Sequence, residues 1–253
     1  MSTAVAVTER PGRSLKTEAM LRMDFYRLIH TPAFYIILLI SAIIPAMILC
    51  MGGDESGIMY TNAWQLVESI SGSAVAEDAM DFAGYANINM VFIFEGLLMA
   101  IFVAHDYSSG FAKNIFAVHA RKRDYVISKT IAGTFSGICL LAAYVFGTVI
   151  AGIIIGASFE VSVTGLIACL LSKAFLMGAF CALFLAVSVF FKNRLWLTII
   201  FIFLLGMMLY PAASTATLSA GLLTIIMSLA AGIAGAILIG MISTLLLNRR
   251  DLV

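Results

Sequence analysis

The chain has 253 residues, 62% of them hydrophobic and 11% charged, with a mean hydropathy of +1.06. A soluble domain carries about 25% charged residues, so an ordinary water-soluble globular fold is excluded. The formal net charge of +1 hides a separation of signs along the chain, and the four cysteines (Cys50, Cys139, Cys169, Cys181) lie in apolar runs without metal-ligand spacing, as small core residues do.

Residues 1–13 are polar. From Ser14 to His30 the pattern turns helical: Leu21, Phe25, Leu28 and Ile29 fall at i, i+4, i+7 and i+8, with Lys16, Arg27 and His30 opposite. A short amphipathic helix with a basic face is suited to lie in a membrane interface. Thr31-Pro32 ends it, because Pro offers no N–H and restricts the residue before it. An elbow then turns the chain into the first apolar run.

Crossing about 30 Å of hydrocarbon takes roughly 20 apolar residues. Six candidate spans satisfy this, near 33–51, 86–104, 130–156, 165–191, 195–211 and 222–247. The first is a retained span and not a cleaved signal, since no small-x-small site follows Met51 and large residues precede Cys50. Pro45 is expected to kink it, and Pro211 to end the fifth. Lys192, Asn193 and Arg194 break the fourth run from the fifth, which keeps two cations out of mid-membrane. Gly133/Gly137, Gly152/Gly156 and Gly232/Ala236 allow close helix approach, chiefly within one subunit.

Fourteen of the 15 Lys and Arg residues fall on one side of this six-span arrangement. Five precede the first span, five lie in 105–129, two separate spans four and five, and two follow span six. The opposite loops 52–85, 157–164 and 212–221 have none, so the positive-inside rule puts both termini in the cytoplasm of a multi-pass cell-membrane protein. Loop 52–85 holds six acids (Asp54, Glu55, Glu68, Glu77, Asp78, Asp81). It reads either as a solvated loop or as a vestibule for a cationic substrate.

The connector Asp106–Lys129 lies between spans two and three. Ser108 or Ser109 can cap a helix that begins near Gly110, with Phe111, Ile115 and Val118 on one face and Lys113 roughly opposite. Two to three turns are not stable alone, so the helix needs packing on the membrane or on a partner. Arg121, Lys122 and Arg123, with Lys129 opening span three, read as a cytoplasmic anchor. Positive-inside bias accounts for them without nucleic acid.

Asp106, Gly110, Lys113, Arg121–Arg123 and Lys129, in that spacing, resemble the cytoplasmic connector of type-2 ABC exporter permeases. The surface helix before Pro32, the six spans and the terminal Asn248-Arg249-Arg250-Asp251-Leu252 resemble that family too. Many relatives place a Pro between the Lys and the basic cluster. Asn114–Ala120 has none, which leaves the helix free to run further. The resemblance implies an all-α membrane domain over 1–253: arm and elbow helix 1–32, membrane domain 33–247, cytoplasmic tail 248–253. It also implies a coupling helix docked on a separate ATPase, with Ser109, Gly110, Phe111, Lys113, Asn114 and Phe116 as docking residues, and an exporter of two permeases and two ATPases. The chain has no G-x-x-x-x-G-K-[ST] loop, in keeping with a separate motor subunit, and the resemblance implies ATP and Mg in that partner, with no cofactor, metal or enzymatic activity expected in this chain. Related small permeases include exporters of antimicrobial or toxic peptides.

Inside the membrane, Glu95 and Lys173 each require a partner or water. Measured from Ala86 and Gly165 they lie at similar depth, about 12–14 Å at 1.5 Å per residue. They read as an ion pair fixing helix packing, as a polar pathway with Asn87 and Asn89, or with Lys173 snorkelling outward. A stand-alone secondary transporter or channel with Glu95 as its coupling group is the competing reading. An intramembrane enzyme is disfavoured by the lack of a polar catalytic constellation.

Overall fold

A computed structural model describes residues 13–51, 62–67, 87–117, 121–192, 194–213 and 221–249. The helices in chain order are α1 (Arg13–Ile29), α2 (Pro32–Met51), α3 (Met90–Ser108), α4 (Phe111–Ala117), α5 (Lys122–Ile155), α6 (Val163–Phe191), α7 (Leu195–Ala213) and α8 (Leu222–Arg249). Among the described residues between α2 and α3 lies a 3-10 turn, Ala63–Leu66. Among the described residues five helices (α2, α3, α5, α6 and α8) are long and apolar enough to cross a membrane, and Leu195–Leu209 of α7 is a shorter apolar stretch. The chain is a multi-pass membrane protein.

Large apolar side chains point outward along these helices, among them Trp196, Met208, Leu222 and Ile154. A water-soluble surface does not carry such a continuous apolar cover; a lipid-facing one does. The inner helices are α3 and α6, more than half buried along their apolar windows, whereas α8 is 11% buried. α3 packs against α2, α5, α6 and α7, and α8 lies mainly along α6.

Close approach depends on glycine at two seams. A Cβ on Gly147 of α5 would collide with the Ala42 carbonyl of α2, and one on Gly232 of α8 with the Phe175 carbonyl of α6. The Ser41 hydroxyl of α2 donates to the Leu140 carbonyl of α5 across the first seam, at 2.9 Å. A Cβ on Gly152 would meet Phe159 and Ala63, so that position serves packing within this chain, whereas Gly156 is the left-handed C-cap of α5 with open space beside it.

Several helix limits differ from the sequence expectation. α3 starts four residues later than residue 86 and runs through Ser108. α5 starts at Lys122, so the basic cluster is the first turn of a 34-residue helix, about 51 Å long at 1.5 Å per residue. That exceeds the hydrocarbon thickness and carries the charged first turns beyond it. Pro45 lies inside α2, and α7 continues past Pro211 to Ala213. The break between α6 and α7 stands where the charges put it, with Lys192 at φ 51°.

At the end of the bundle away from the basic cluster, residues 62–67 fold inward. Ala63 donates to the Ser158 carbonyl at 3.0 Å and Ile88 to the Leu66 carbonyl at 3.1 Å, and Trp64 packs edge-on against Phe159. Trp64, Leu66 and Val67 are buried. This part of the 52–85 loop is therefore an apolar plug, not a solvated segment. The six acids of that loop lie outside the described residues, as do residues 1–12, Val118 and the tail after Arg249.

Candidate functional site: a buried charge cluster at the basic end

α1 meets α5 and the end of α3 along a face that carries charge. Met20, Asp24 and Leu28, at i, i+4 and i+8, are buried, while Ile29 and Tyr26 are exposed. The helix is thus rotated from its expected pose. Asp24 and Arg27 turn into the protein, and the apolar residue Ile29 turns out. The physical reason lies across the interface, where Asp106 and Lys129 are fully buried and need counter-charges.

The cluster satisfies them. Lys129 Nζ lies 2.8 Å from Asp24 Oδ1 and 2.7 Å from Asp106 Oδ2. Arg27 Nη1 lies 2.7 Å from Asp106 Oδ1. The Tyr125 hydroxyl donates to Asp106 Oδ2 at 2.8 Å, and the Ser128 hydroxyl to Asp24 Oδ2 at 2.5 Å. Two acids and two bases cancel, and all four carboxylate oxygens are engaged. Asp106 sits in the last turn of α3, where the helix dipole disfavours an anion, so the two cations do more there than balance charge. Aromatic faces close the site: Lys129 Nζ stands 3.6 Å from the centroid of Phe102, and the Arg27 guanidinium 3.7 Å from that of Phe111.

Phe111 is the first residue of α4, so the cluster ties α1, α3, α4 and α5 into one unit. Gly110 makes the turn between α3 and α4 at φ 72°, a left-handed conformation that L side chains adopt at a cost. Ser108 and Ser109 do not cap α4. Both hydroxyls donate back to the His105 carbonyl, at 3.2 and 2.7 Å, because α3 extends to Ser108 and its last carbonyls need donors.

The expected docking residues divide into two groups. Ser109, Lys113 and Asn114 are exposed. Phe111 and Phe116 turn inward, Phe111 under Arg27 and Phe116 against the Tyr125 ring at a centroid distance of 5.4 Å. The basic anchor divides likewise. Arg121 and Arg123 are exposed, and Lys122 Nζ donates to the Leu247 carbonyl near the end of α8 at 2.6 Å. Lys129 is no surface anchor: it is fully buried at the centre of the charge cluster. Asp24, Tyr125 and Ser128 are not marked by the sequence pattern, and Arg27 reads there only as part of a basic surface face. The available signal was Asp24 and Arg27 at i, i+3 on one helix, the spacing of a shared face.

Glu95 and Lys173 do not pair. Lys173 Nζ donates to Asn89 Oδ1 at 2.6 Å and to the Ala213 carbonyl at 3.1 Å, the last residue of α7. Asn89 lies six residues before Glu95, about 9 Å along a helix, so the two charges occupy different depths. The expectation of equal depth counted from residue 86, and α3 begins at Met90. Asn89 therefore meets Lys173, and Asn87 Oδ1 accepts from the Asn89 backbone N–H at 2.9 Å, which helps open α3. Lys173 is buried and does not snorkel outward. Glu95, also buried, faces α5, where the Ser136 hydroxyl lies 3.3 and 3.1 Å from its two oxygens. Gly133 and Gly137 flank Ser136, and a Cβ on either would crowd the Glu95 carboxyl. The small-residue spacing there makes room for a polar side chain.

The described residues thus form a multi-helix membrane domain whose short surface helix turns on a positive-φ glycine and is held by buried charges. A family model described as ABC-2 family transporter protein matches residues 20–209, from within α1 into α7. The chain belongs to that family, whose members are membrane components of ABC transporters and work with an ABC ATPase. Comparisons with curated proteins and with solved structures gave no match.

Proposed function

We propose that this chain is the permease subunit of an ATP-driven exporter, with six membrane spans, both termini in the cytoplasm, and α4 as the coupling helix on which a separate ATPase acts. Two copies, or this chain and a related one, would combine with two ATPases. The observation that carries the reading is the charge cluster. α4 is too short to hold itself, yet it is fixed through Phe111 and Gly110 to α1, α3 and α5. A push on the exposed face at Lys113 and Asn114 is therefore passed to two spans and the elbow helix together. The basic end is the cytoplasmic one by charge bias.

Of the expected docking residues, exposed Ser109, Lys113 and Asn114 are the ones proposed to meet the ATPase. Co-purification with the ATPase should be lost in Lys113→Glu combined with Asn114→Trp while the permease keeps its thermal stability. ATPase binding as strong as wild type in that variant would refute the assignment. Cargo is proposed from chemistry: an apolar interior and an acidic loop suit a hydrophobic, amphipathic or cationic substrate such as a peptide. Buried Glu95, with a hydroxyl and no cation in contact among the described residues, favours the second reading, a secondary transporter. Transport by the isolated chain without nucleotide would decide for it.

A further inference from the structure

A groove of about 530 Å³ runs along the seam of α5 and α8. Val126, Ile127, Thr130 and Ile131 form one wall, and Ala236, Ile237, Gly240 and Met241 belong to the other. The exposed Arg123 stands at its basic end. The volume is in the range of small-molecule sites. From Arg123 to Ile131 is eight residues, about 12 Å of helix, close to one leaflet's half of a roughly 30 Å hydrocarbon core. An apolar trough of that length, open sideways to lipid and headed by a guanidinium, has the layout of a lipid molecule.

We propose that this groove holds one acyl chain of an anionic phospholipid whose headgroup phosphate pairs with Arg123. Charge selects the occupant. A cation at the mouth repels a cationic cargo and attracts an anionic headgroup, and guanidinium matches phosphate bidentately. The neighbouring Lys122 ammonium donates to the Leu247 carbonyl. That bond also holds α5 and α8 together at the mouth. Gly240 keeps the trough open: a Cβ there would meet Val126 at an ordinary 3.8 Å, so a larger side chain would fill the groove without forcing the helices apart. The proposal requires only that the basic end lies among headgroups, in whichever leaflet, and so does not depend on the exporter reading.

The test is native mass spectrometry of the full chain released from nanodiscs of mixed phosphatidylglycerol and phosphatidylcholine. Wild type should retain phosphatidylglycerol preferentially. Arg123→Gln should reduce that retention by about fivefold, the size of one Arg contribution near an anionic surface. Gly240→Leu, or Ala236→Phe if that variant is poorly folded, should reduce retention of either lipid. Arg194→Gln, an exposed cation between α6 and α7, should change nothing. Equal loss in Arg123→Gln and Arg194→Gln would overturn the proposal in favour of diffuse attraction. Undiminished lipid in both groove-filling variants would also overturn it, as would conversion of a dimer to monomers by Gly240→Leu, which would make the groove a contact between copies.

Discussion

Lys129 shows how a single residue changes meaning between sequence and structure. At the mouth of a long apolar run it is one more cation of a basic strip; in the folded protein it is a fully buried counter-charge to Asp24 and Asp106. Removing one partner of a buried pair leaves an uncompensated charge, which costs about 3–5 kcal/mol. Lys129→Met and Asp106→Asn should each lower the thermal midpoint in detergent markedly, and the double variant should lose less than the sum. Arg27→Met should cost less, because that side chain is 18% exposed and water can replace part of its partner. Glu95 and Lys173 give the opposite expectation. Since they share no contact, the losses in Glu95→Gln and Lys173→Met should add within about 0.5 kcal/mol. Coupling larger than that in a double-mutant cycle would restore the ion pair.

At the scale of elements, α4 stands on one backbone conformation. Gly110 at φ 72° lets α3 end and α4 start within two residues. Gly110→Ala should cost about 1–2 kcal/mol and misplace α4, whereas Asn visits this region more readily and should recover part of the loss. Stability and ATPase co-purification, measured together, check this: parallel loss in Ala and parallel recovery in Asn are expected. Two lysines on other elements share one device. Lys122 and Lys173 each donate to a carbonyl in the last turn of a helix, α8 and α7 respectively, where the dipole favours a cation. Neither role is visible from spacing, since each carbonyl is contributed by a distant part of the chain.

At the scale of the molecule, span number and orientation are open to direct measurement. In a version lacking the native cysteines, single cysteines at positions 113 and 250 should be labelled from the cytoplasmic side, and one at position 78 from outside. Four crossings between 113 and 250 put those two on the same side. Labelling of 113 and 250 from opposite sides would mean that one apolar helix, α7 first, does not span.

Hydropathy and charge determined much of this protein by themselves. The apolar runs, the break at Lys192–Arg194 and the helix break at Thr31-Pro32 are all legible along the chain, because membrane insertion answers to the composition of contiguous segments. The faces of the helices were decided only by tertiary structure. α7 is apolar on every side and α6 carries one charge, Lys173, so little that is local fixes their rotation, and the buried face of α1 is the one that carries Asp24. The partners that decide it are remote: Ser128 reaches Asp24 across 104 positions, and Lys173 reaches Asn89 across 84. In a medium without water, a buried charge has to find such a partner, and that requirement divides the basic strip into an exposed short helix, a lysine that caps α8 and a neutral internal lock.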